Sequence, residues 1–320
     1  MKPDRRDFLI LGMGALAVAT VPRAFRRKDA LIRRQIPVMG TVAEVAIRHG
    51  DEAWSQKAVD AAFAELRRVD AGMSRFRADS DVGRLNARAD AGPVTVSEDT
   101  AEVLAAALLW AEASDGRFDP CLGRVAELWD VGSRTAPPAD EDIIRAPRSG
   151  MAQYLEVERT ASAPRARLHH PDAAVDLGGI AKGYGVDLAA RSLRDNGIFH
   201  ALVNVGGDLV AMGVDENEEP WNIGVRSPDS PDQIAHTLRV SEGALATSGD
   251  YLQYFQHEGR RYHHLLDPVT GEPRLTAVRS LTVAAPTCMA ADAGATAAFG
   301  AERASAVHML RGRATIAHTI

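Results

Sequence analysis

Cysteine and aromatic residues are both scarce in this sequence. Of the 320 residues, two are cysteines, Cys121 and Cys288, and 5% are aromatic. Two cysteines so far apart build neither a disulfide framework nor a set of zinc ligands. We expect two small core residues rather than a single bridge. The low aromatic content leaves few flat surfaces for stacking.

Charge of one sign is not concentrated in any folded segment. The chain has 37 Lys and Arg against 43 Asp and Glu, a net charge of -6. Composition therefore excludes the electrostatic footprint of a nucleic-acid-binding protein. With 46% hydrophobic residues, the chain is long enough for a real core, in one large domain or two small ones.

The apolar run from Leu9 to Val21 contains no charge but is too short to span a bilayer comfortably, which takes about 20 residues. It follows the pair Arg5-Arg6, and paired arginines before a short apolar run predict a twin-arginine export signal over residues 1–25. The alternative is a charged, frayed start that leads into a buried helix. We therefore expect an exported, periplasmic protein whose folded domain spans residues 30–320.

Helical and strand periodicities are mixed along the chain without regular βαβ alternation. This arrangement predicts an α+β fold with two closely joined lobes. The stretch Thr135 to Ser149 is rich in proline and acid and indicates a surface connection. The main segments predicted from spacing and capping residues are a strand pair around Met39-Gly40-Thr41, helices over 59–69, 98–115, 178–195, 289–299 and 303–310, and strands over 154–157, 167–168, 201–205, 221–225, 238–240, 263–266 and 280–284.

The segment from Asp176 to Tyr184, DLGGIAKGY, carries the densest chemical signal. We expect a strand with Val175 and Leu177 to run into paired glycines, where a helix begins. Glycines allow close backbone approach, and the free N–H groups of a helix start favour an anion. Lys182 is a cation where the helix dipole prefers an anion, which makes sense if a phosphate lies between them. The segment matches neither of the common phosphate-binding glycine patterns, so an ordinary glycine-rich turn remains the alternative.

Asp292 and Thr296 stand four residues apart on a predicted helix and therefore share one face. A carboxylate and a hydroxyl are hard oxygen ligands that suit Mg²⁺, with water and substrate phosphate completing its shell. On its own this pattern is weak, because such a pair is often only a solvated helix face.

The pair His263-His264 offers a general base beside Asp267-Pro268. Neighbouring residues on a strand point to opposite faces, so the two rings are not expected to bind one metal. The alternative is a surface pair next to a turn. Neither a G-x-S-x-G nor an H-E-x-x-H pattern is present.

Taken together, these segments resemble the ApbE family, the FAD:protein FMN transferases. The resemblance is collinear and covers essentially the whole chain after the export signal. The segments that carry it are Met39-Gly40-Thr41, Met73-Ser74-Arg75-Phe76, Gly116-Arg117-Phe118-Asp119-Pro120, Asp176 to Asp187, Asn204-Val205-Gly206-Gly207-Asp208, Ala246 to Tyr251, His264 to Gly271, Ala285-Pro286-Thr287 and Ala291 to Thr296.

The resemblance implies an ApbE-like fold with an FAD cleft between the lobes, and a role for each matched residue. His264 and Lys182 would be catalytic. Residues implied to line the FAD site are Met39, Phe76, Arg117, Phe118, Asp119, Asp176, Lys182 and the backbone near Leu266. Residues implied to hold Mg²⁺ are Asp292, Thr296 and the main-chain carbonyls of Gly179 and Ala295.

The implied reaction is Mg²⁺-dependent transfer of FMN from FAD to a threonine hydroxyl of an acceptor protein, with release of AMP. The resemblance to the family suggests that the acceptors are subunits of membrane redox complexes or FMN-carrying domains. Two alternatives remain open from the sequence: a Mg²⁺-dependent FAD pyrophosphatase that gives FMN and AMP, and a non-catalytic exported flavin-binding protein. A structural exported protein whose glycine turns only serve packing is a third.

Three residues depart from the family's pattern. Gly185 stands where alanine is more usual, which costs about 1 kcal/mol of helix propensity. Cys121 stands where threonine is frequent and would place a thiol near the flavin. Gly294 lies between the two implied metal ligands, and we expect it to loosen their helix.

Overall fold

The structure is a computed structural model that describes residues 16–19, 30–148, 150–230 and 232–320. The Arg5-Arg6 pair and most of the apolar run of the predicted export signal lie outside these ranges. The part that is described, Leu16–Ala19, forms a short strand, β1. Among the described residues, no helix is both long enough and apolar enough to cross a membrane.

Strands and helices alternate irregularly along the chain, as the sequence predicts. The remaining strands are β2 (Ala30–Val38), β3 (Thr41–His49), β4 (Val94–Thr95), β5 (Leu155–Arg159), β6 (Pro164–Leu168), β7 (Ala201–Val205), β8 (Asp208–Met212), β9 (Trp221–Arg226), β10 (Ile234–Val240), β11 (Glu242–Gly249), β12 (Tyr254–His257), β13 (Arg260–His263), β14 (Ser280–Ala285) and β15 (Thr315–Thr319). The helices are α1 (Glu52–Met73), α2 (Asp81–Ala87), α3 (Glu98–Ala113), α4 (Gly123–Trp129), α5 (Asp140–Arg145), α6 (Ala181–Asp195), α7 (Cys288–Ala298) and α8 (Arg303–Leu310).

A seven-stranded sheet in the order β15-β14-β11-β8-β7-β3-β2 organises the molecule. Every neighbouring pair in it is antiparallel. Smaller sheets are formed by β1-β9-β10, by β4-β6-β5 and by the β12-β13 hairpin. An antiparallel sheet with helices gathered against it is the α+β class, which confirms the predicted fold class.

The two faces of the large sheet bury different partners. On β3, Ala43, Val45 and Ile47 point into the larger core, which α1, α6 and α7 cover. Ala46 points to the other face, into a second apolar cluster that includes Trp221 of β9. The strict alternation of side chains along a strand thus gives one sheet a helical layer on one side and a β layer on the other.

Capping side chains define the starts of two long helices: α3 begins at Glu98, as predicted, whereas α1 begins at Glu52, before the predicted start at residue 59. The Asp51 carboxylate accepts a hydrogen bond from the backbone N–H of Trp54 at 2.9 Å and begins α1. Ser97 caps α3 in the same way through Thr100. Each cap satisfies a donor that the first helical turn leaves without a partner.

Several predicted boundaries are wrong. Helix α6 begins at Ala181 rather than 178, because the Asp176 carboxylate binds the N–H of Gly178 and holds residues 178–180 in a turn. No strand forms over 175–177. The strand predicted over 263–266 instead ends at His263. A helix, Asp140–Arg145, interrupts the stretch predicted to be a plain surface connection.

Candidate functional site

The glycine turn before α6 is fixed by side chains that reach it from distant segments. Asp176 accepts hydrogen bonds from Gly178 N at 2.8 Å and forms an ion pair with Arg75 at 3.0 Å. Upstream, the Asn86 side-chain amide both donates to and accepts from the backbone of Val175. The turn is therefore held in a defined conformation without regular secondary structure.

Gly179 lies directly against Thr296 of α7. A Cβ atom at Gly179 would lie 2.9 Å from Thr296 Oγ1 and 3.3 Å from the Phe118 ring. Only glycine allows the turn and the helix to approach this closely. The structure thus brings together two of the residues that the resemblance assigns to the metal, one from the turn and one from α7.

Asp292 of α7 lies against the first turn of α6. Its carboxylate accepts a hydrogen bond from Gly183 N at 3.0 Å and lies 3.3 Å from Lys182 Nζ. Lys182 also forms a short ion pair with Asp208, the first residue of β8. Both aspartates are buried, with side chains 5% and 6% exposed, whereas 27% of the Lys182 side chain reaches solvent. One lysine therefore joins two buried carboxylates at the edge of the glycine turn.

The charges of this cluster depend on one another. Burial by itself would lower the pKa of Lys182, but the carboxylates of Asp208 and Asp292 outweigh it and raise that pKa. Burial, together with repulsion from Asp292, raises the pKa of Asp208. The cluster has one more carboxylate than it has cations, so it favours a second positive charge.

Helix α7 carries Asp292 and Thr296 and is held at its N-terminal end by α6. The Asp187 carboxylate accepts hydrogen bonds from the backbone N–H groups of Cys288 and Met289, at 2.7 and 2.9 Å. Burial raises the pKa of Asp187 to about 6. An acidic group at a helix start satisfies free donors and suits the helix dipole.

Gly294 of α7 has close neighbours on two other helices. A Cβ atom at Gly294 would lie 2.8 Å from Leu310 and 3.2 Å from Trp110. The glycine therefore allows α7 to pack closely between α3 and α8.

The two adjacent histidines have different surroundings. His263 is buried, and its ring bonds to the Arg274 carbonyl and the N–H of Leu265. The His264 ring places Nδ1 3.2 Å from the Gln253 carbonyl. A carbonyl only accepts, so Nδ1 carries the proton and Nε2 keeps a free lone pair. Burial lowers the pKa of His264 to about 4, and the charge of Lys182 acts in the same direction. His264 is therefore a neutral ring near Lys182.

The loop from Arg117 to Asp119 lies beside the glycine turn, but its side chains face inward. Phe118 is buried next to Gly179. Asp119 is also buried and accepts from the backbone N–H of Cys121 and of Ala152. Arg117 donates to the carbonyls of Ala297 and Phe299. These contacts fix the loop in place beside the glycine turn.

The two cysteines are free and buried, as expected for core residues. Burial raises the pKa of the Cys121 thiol well above its ordinary value, and the neighbouring Asp119 adds to this effect. The thiol expected near the flavin is thus enclosed in the core and in its neutral form.

Met39 and Phe76, both implied to line the FAD site, differ in burial. Met39 forms the β2–β3 turn with a φ of 53°, and its sulfur would lie 3.4 Å from a Cβ at Gly185. An alanine at Gly185 would therefore crowd Met39 as well as gain helix propensity.

Phe76 is 81% exposed, with the Arg75 guanidinium 4.1 Å from its ring centre. An exposed aromatic ring next to the turn is available to stack on a planar ligand.

Sequence reasoning assigned no role to three residues that the structure places at the site. Asp208 was recognised only as the end of a matching segment, yet it is the second carboxylate bound to Lys182. Arg75 binds Asp176, and Arg274 donates to the Leu266 carbonyl and to Thr296. A charged residue that directly follows paired glycines, as Asp208 does, was the one available signal.

The donors around Asp292 fit a hard divalent cation. A carboxylate and the Thr296 hydroxyl lie on one face of α7, opposite the Gly179 turn. The Ala295 carbonyl accepts from the N–H of Phe299 and has a second lone pair. Across the described ranges, no cluster of three or more His, Cys, Asp or Glu side chains could hold a metal. A set of one carboxylate, one hydroxyl and carbonyls nonetheless suits a hard divalent cation that keeps water and phosphate ligands.

Comparisons with known proteins give one consistent result. A FAD:protein FMN transferase of Vibrio cholerae is 34% identical over 249 residues, 76% of this chain and 73% of that protein. One of Haemophilus influenzae is 32% identical, over 91% of this chain and 86% of that protein. Among solved structures, the ApbE protein of Thermotoga maritima superposes with a TM-score of 0.78 at 31% identity, covering 87% of this chain and 90% of that one.

A flavin transferase ApbE from Vibrio cholerae superposes with a TM-score of 0.76 at 29% identity, covering 88% of this chain and 90% of that one. The model of the family described as the ApbE family matches residues 39–320, which include the glycine turn, the Lys182 cluster and α7. The sequence resemblance, the antiparallel fold and the site geometry therefore agree, and the chain belongs to the ApbE family.

Proposed function

We propose that this protein transfers FMN from FAD to a threonine hydroxyl of an acceptor protein and releases AMP. The single observation that carries the proposal is the buried cluster of Lys182, Asp208 and Asp292 at the glycine turn. A cluster with more carboxylates than cations suits a divalent cation, and such a cation can in turn bind a diphosphate. Family membership and the names of the relatives support the same activity.

Asp292, Thr296 and the carbonyls of Gly179 and Ala295 are the residues that would hold Mg²⁺. When bound, the ion would neutralise charge on the diphosphate of FAD and polarise its phosphorus. The close approach of the Gly179 backbone to the Thr296 side chain supports this assignment, because two ligands of one ion must lie near each other.

Lys182 would bind a diphosphate oxygen while it stays charged. Asp208 and Asp292 raise the pKa of its ammonium group, so the cation persists at neutral pH. Electrostatic stabilisation of this kind acts most strongly on the charge that develops during phosphoryl transfer. Phe76, Asp176 and Met39 would complete the FAD site, which we place in a cleft between two lobes.

His264 would act as the general base. Its Nδ1 proton is held by the Gln253 carbonyl, so Nε2 is the atom that takes the proton of the acceptor threonine. The threonine oxygen forms a bond to the phosphorus on the FMN side of the diphosphate. The phosphorus–oxygen bond to AMP breaks, and AMP leaves with the electron pair. FMN remains on the acceptor as a phosphoester.

The acceptor would be a subunit of a membrane redox complex or an FMN-carrying domain with a threonine in a short motif. We place the enzyme outside the cytoplasm, in the periplasm or on the outer face of the membrane, because of the Arg5-Arg6 pair and the apolar run that follows. Cofactor and substrate are thus Mg²⁺ and FAD.

The test mixes the purified chain with FAD, Mg²⁺ and a candidate acceptor domain, and looks for FMN on the acceptor by mass spectrometry. A chelator should abolish the product, and so should replacement of the acceptor threonine by valine. Release of free FMN and AMP at the same rate with and without acceptor would instead indicate a pyrophosphatase. Tight FAD binding with neither product would indicate a flavin carrier.

A further inference from the structure

Arg274 joins three segments of the site, although it lies outside every residue set assigned to FAD or metal. It is 6% exposed and follows the turn after β13. Its guanidinium donates to four main-chain carbonyls. The bonds run from Nε to Leu266 at 3.1 Å, from Nη1 to Thr296 at 2.7 Å and Phe299 at 2.9 Å, and from Nη2 to Arg117 at 2.5 Å.

Two of these carbonyls belong to the C-terminal end of α7. The last carbonyls of a helix have no partner within it and carry its negative dipole end. Helix α7 has no basic residue in its own last turn. The cations come from elsewhere: Arg274 binds the Thr296 and Phe299 carbonyls, and Arg117 binds those of Ala297 and Phe299.

The other two carbonyls belong to segments implied to contact FAD, at Leu266 and Arg117. Burial lowers the pKa of Arg274 to about 9, which leaves the group charged at neutral pH. The His263 ring in turn bonds to the Arg274 carbonyl at 3.0 Å and fixes the backbone of the arginine. One rigid, planar group with five donors thus spans a helix end and two loops.

We propose that Arg274 is a positioning residue that holds the metal-bearing end of α7 and the FAD-lining loops in one arrangement. It keeps Thr296 against Gly179 and keeps the Arg117 and Leu266 segments beside them. Loss of the guanidinium weakens metal binding and FAD binding together. This inference rests on the proposed function, since it takes α7 as the metal-bearing helix.

The test measures two affinities separately in the variants Arg274→Met and Arg274→Lys. Binding of Mn²⁺ is measured in the absence of FAD by electron paramagnetic resonance. Binding of FAD is measured in the presence of a chelator by flavin fluorescence. We expect Mn²⁺ binding to weaken by about 10–100-fold, the usual effect of losing a group that orients metal ligands. FAD binding should weaken as well. The lysine variant keeps the charge but cannot span four carbonyls, so it should not restore either affinity.

Arg226→Met is the matched control, because Arg226 is similarly buried, at 8% exposed, and lies on β9 of the β1-β9-β10 sheet, whereas Arg274 lies in a loop. It should lower the melting temperature without changing either affinity. Arg274 variants that stay folded and bind both ligands as wild type does would overturn the inference, as would weakening of only one ligand. At saturating Mg²⁺ and FAD the variants should recover most of kcat, because the Arg274 guanidinium donates to main-chain carbonyls and acts on the site through them.

Hydrogen exchange on the wild type provides a measurement that needs no variant. Addition of Mg²⁺ should protect the amides near Phe299, Leu265 and Arg117 together, since one guanidinium binds all three segments. Protection confined to α7 would contradict the inference. A wild-type protein that binds neither Mn²⁺ nor FAD would contradict the proposed function itself, which separates the two failures.

Discussion

Two clusters of buried charge lie on opposite faces of the seven-stranded sheet. On the helical face, Lys182 joins Asp208 and Asp292. On the other face, Glu44 of β3 lies 3.5 Å from Arg33 of β2 and accepts from the Gln35 side chain at 2.6 Å. The register of the hairpin pairs Gln35 with Glu44 directly, so these groups meet within one pair of strands.

The two clusters differ in charge balance and in what carries them. The Glu44 cluster has one carboxylate and one guanidinium, both in the middle of a hairpin. The Lys182 cluster has a surplus carboxylate and is carried by the start of α6, the start of β8 and the body of α7. A balanced pair within a hairpin serves the fold, whereas an unbalanced cluster where three elements meet leaves a place for a cation and a phosphate.

Removal of the surplus carboxylate should have the largest effect. Asp292→Ala is expected to lower FMN transfer by at least about 100-fold, because several kcal/mol of charge stabilisation would be lost with the metal. The rate is measured by mass spectrometry of the acceptor. Glu44→Gln removes the carboxylate of the other cluster and should leave the rate unchanged; equal losses in both variants would remove the distinction between the clusters.

Removal of the lysine should lower stability in addition to its effect on FMN transfer. Lys182→Met leaves Asp208 and Asp292 together without their cation, and we expect the free energy of unfolding to fall by about 3–5 kcal/mol in metal-free buffer. Mg²⁺ should restore part of this loss, because a second cation can take the place of the first. Chemical denaturation with and without Mg²⁺ measures both effects.

The matched variant is Arg33→Met on the opposite face. It should also destabilise the protein, but Mg²⁺ should not restore its stability. If Mg²⁺ rescued both variants equally, the ion would be acting on the protein as a whole and not on the Lys182 cluster.

Two glycines against α7 allow a finer test. Gly179→Ala would place a Cβ 2.9 Å from Thr296 Oγ1 and should weaken metal binding by about 10-fold or more. Gly294→Ala would crowd Leu310 instead, at a cost of about 1–3 kcal/mol in stability, offset in part by better helix propensity. Calorimetric titration of Mg²⁺ into both variants should separate them; a similar loss of affinity in both would contradict the assigned ligands.

The smallest expected effect is a pH dependence of the free energy of unfolding that arises from the Glu44 cluster. Burial raises the pKa of Glu44, although Gln35 and Arg33 act against it. A carboxyl group with a raised folded pKa stabilises the protein below its unfolded pKa, and this contribution is lost as the pH rises through the folded pKa. As the pH rises from below the unfolded pKa to above the folded pKa, the free energy of unfolding of wild type should therefore fall by about 1 kcal/mol relative to that of Glu44→Gln. A constant difference between urea curves at pH 4 and pH 8 would contradict it.

Much of the fold could be predicted from local pattern. The helix periodicity of α1, the Ser97 cap and the strand over 201–205 are local signals, and each is confirmed. The boundary errors have a common cause. The start of α6 is delayed by a bond from Asp176 to Gly178, and β13 stops at His263, whose ring binds Arg274. Side-chain contacts of this kind override propensity and leave no periodic signal.

The residues of the site also divide into those that local sequence patterns predict and those that only distant contacts bring to the site. Short motifs in the sequence identify four of these residues. Lys182 follows paired glycines, Asp292 and Thr296 share one helix face, and His264 precedes a turn. Asp208 and Arg274 were not assigned, because their partners are distant in sequence and no short spacing connects them. Asp208 meets Lys182 only because β8 begins beside the start of α6, and Arg274 meets Thr296 only because α7 ends beside the turn after β13.

The sequence by itself determined the chemistry available to this protein: glycines before a lysine, a carboxylate and a hydroxyl on one helix face, and a histidine beside a turn. Those features depend on residue type and short spacing, which the chain carries without folding. Only the tertiary structure decided which carboxylates share the lysine, which groups bind the two histidine rings and which arginine caps α7. Such choices depend on strand register and helix packing, because these bring together groups that are far apart along the chain.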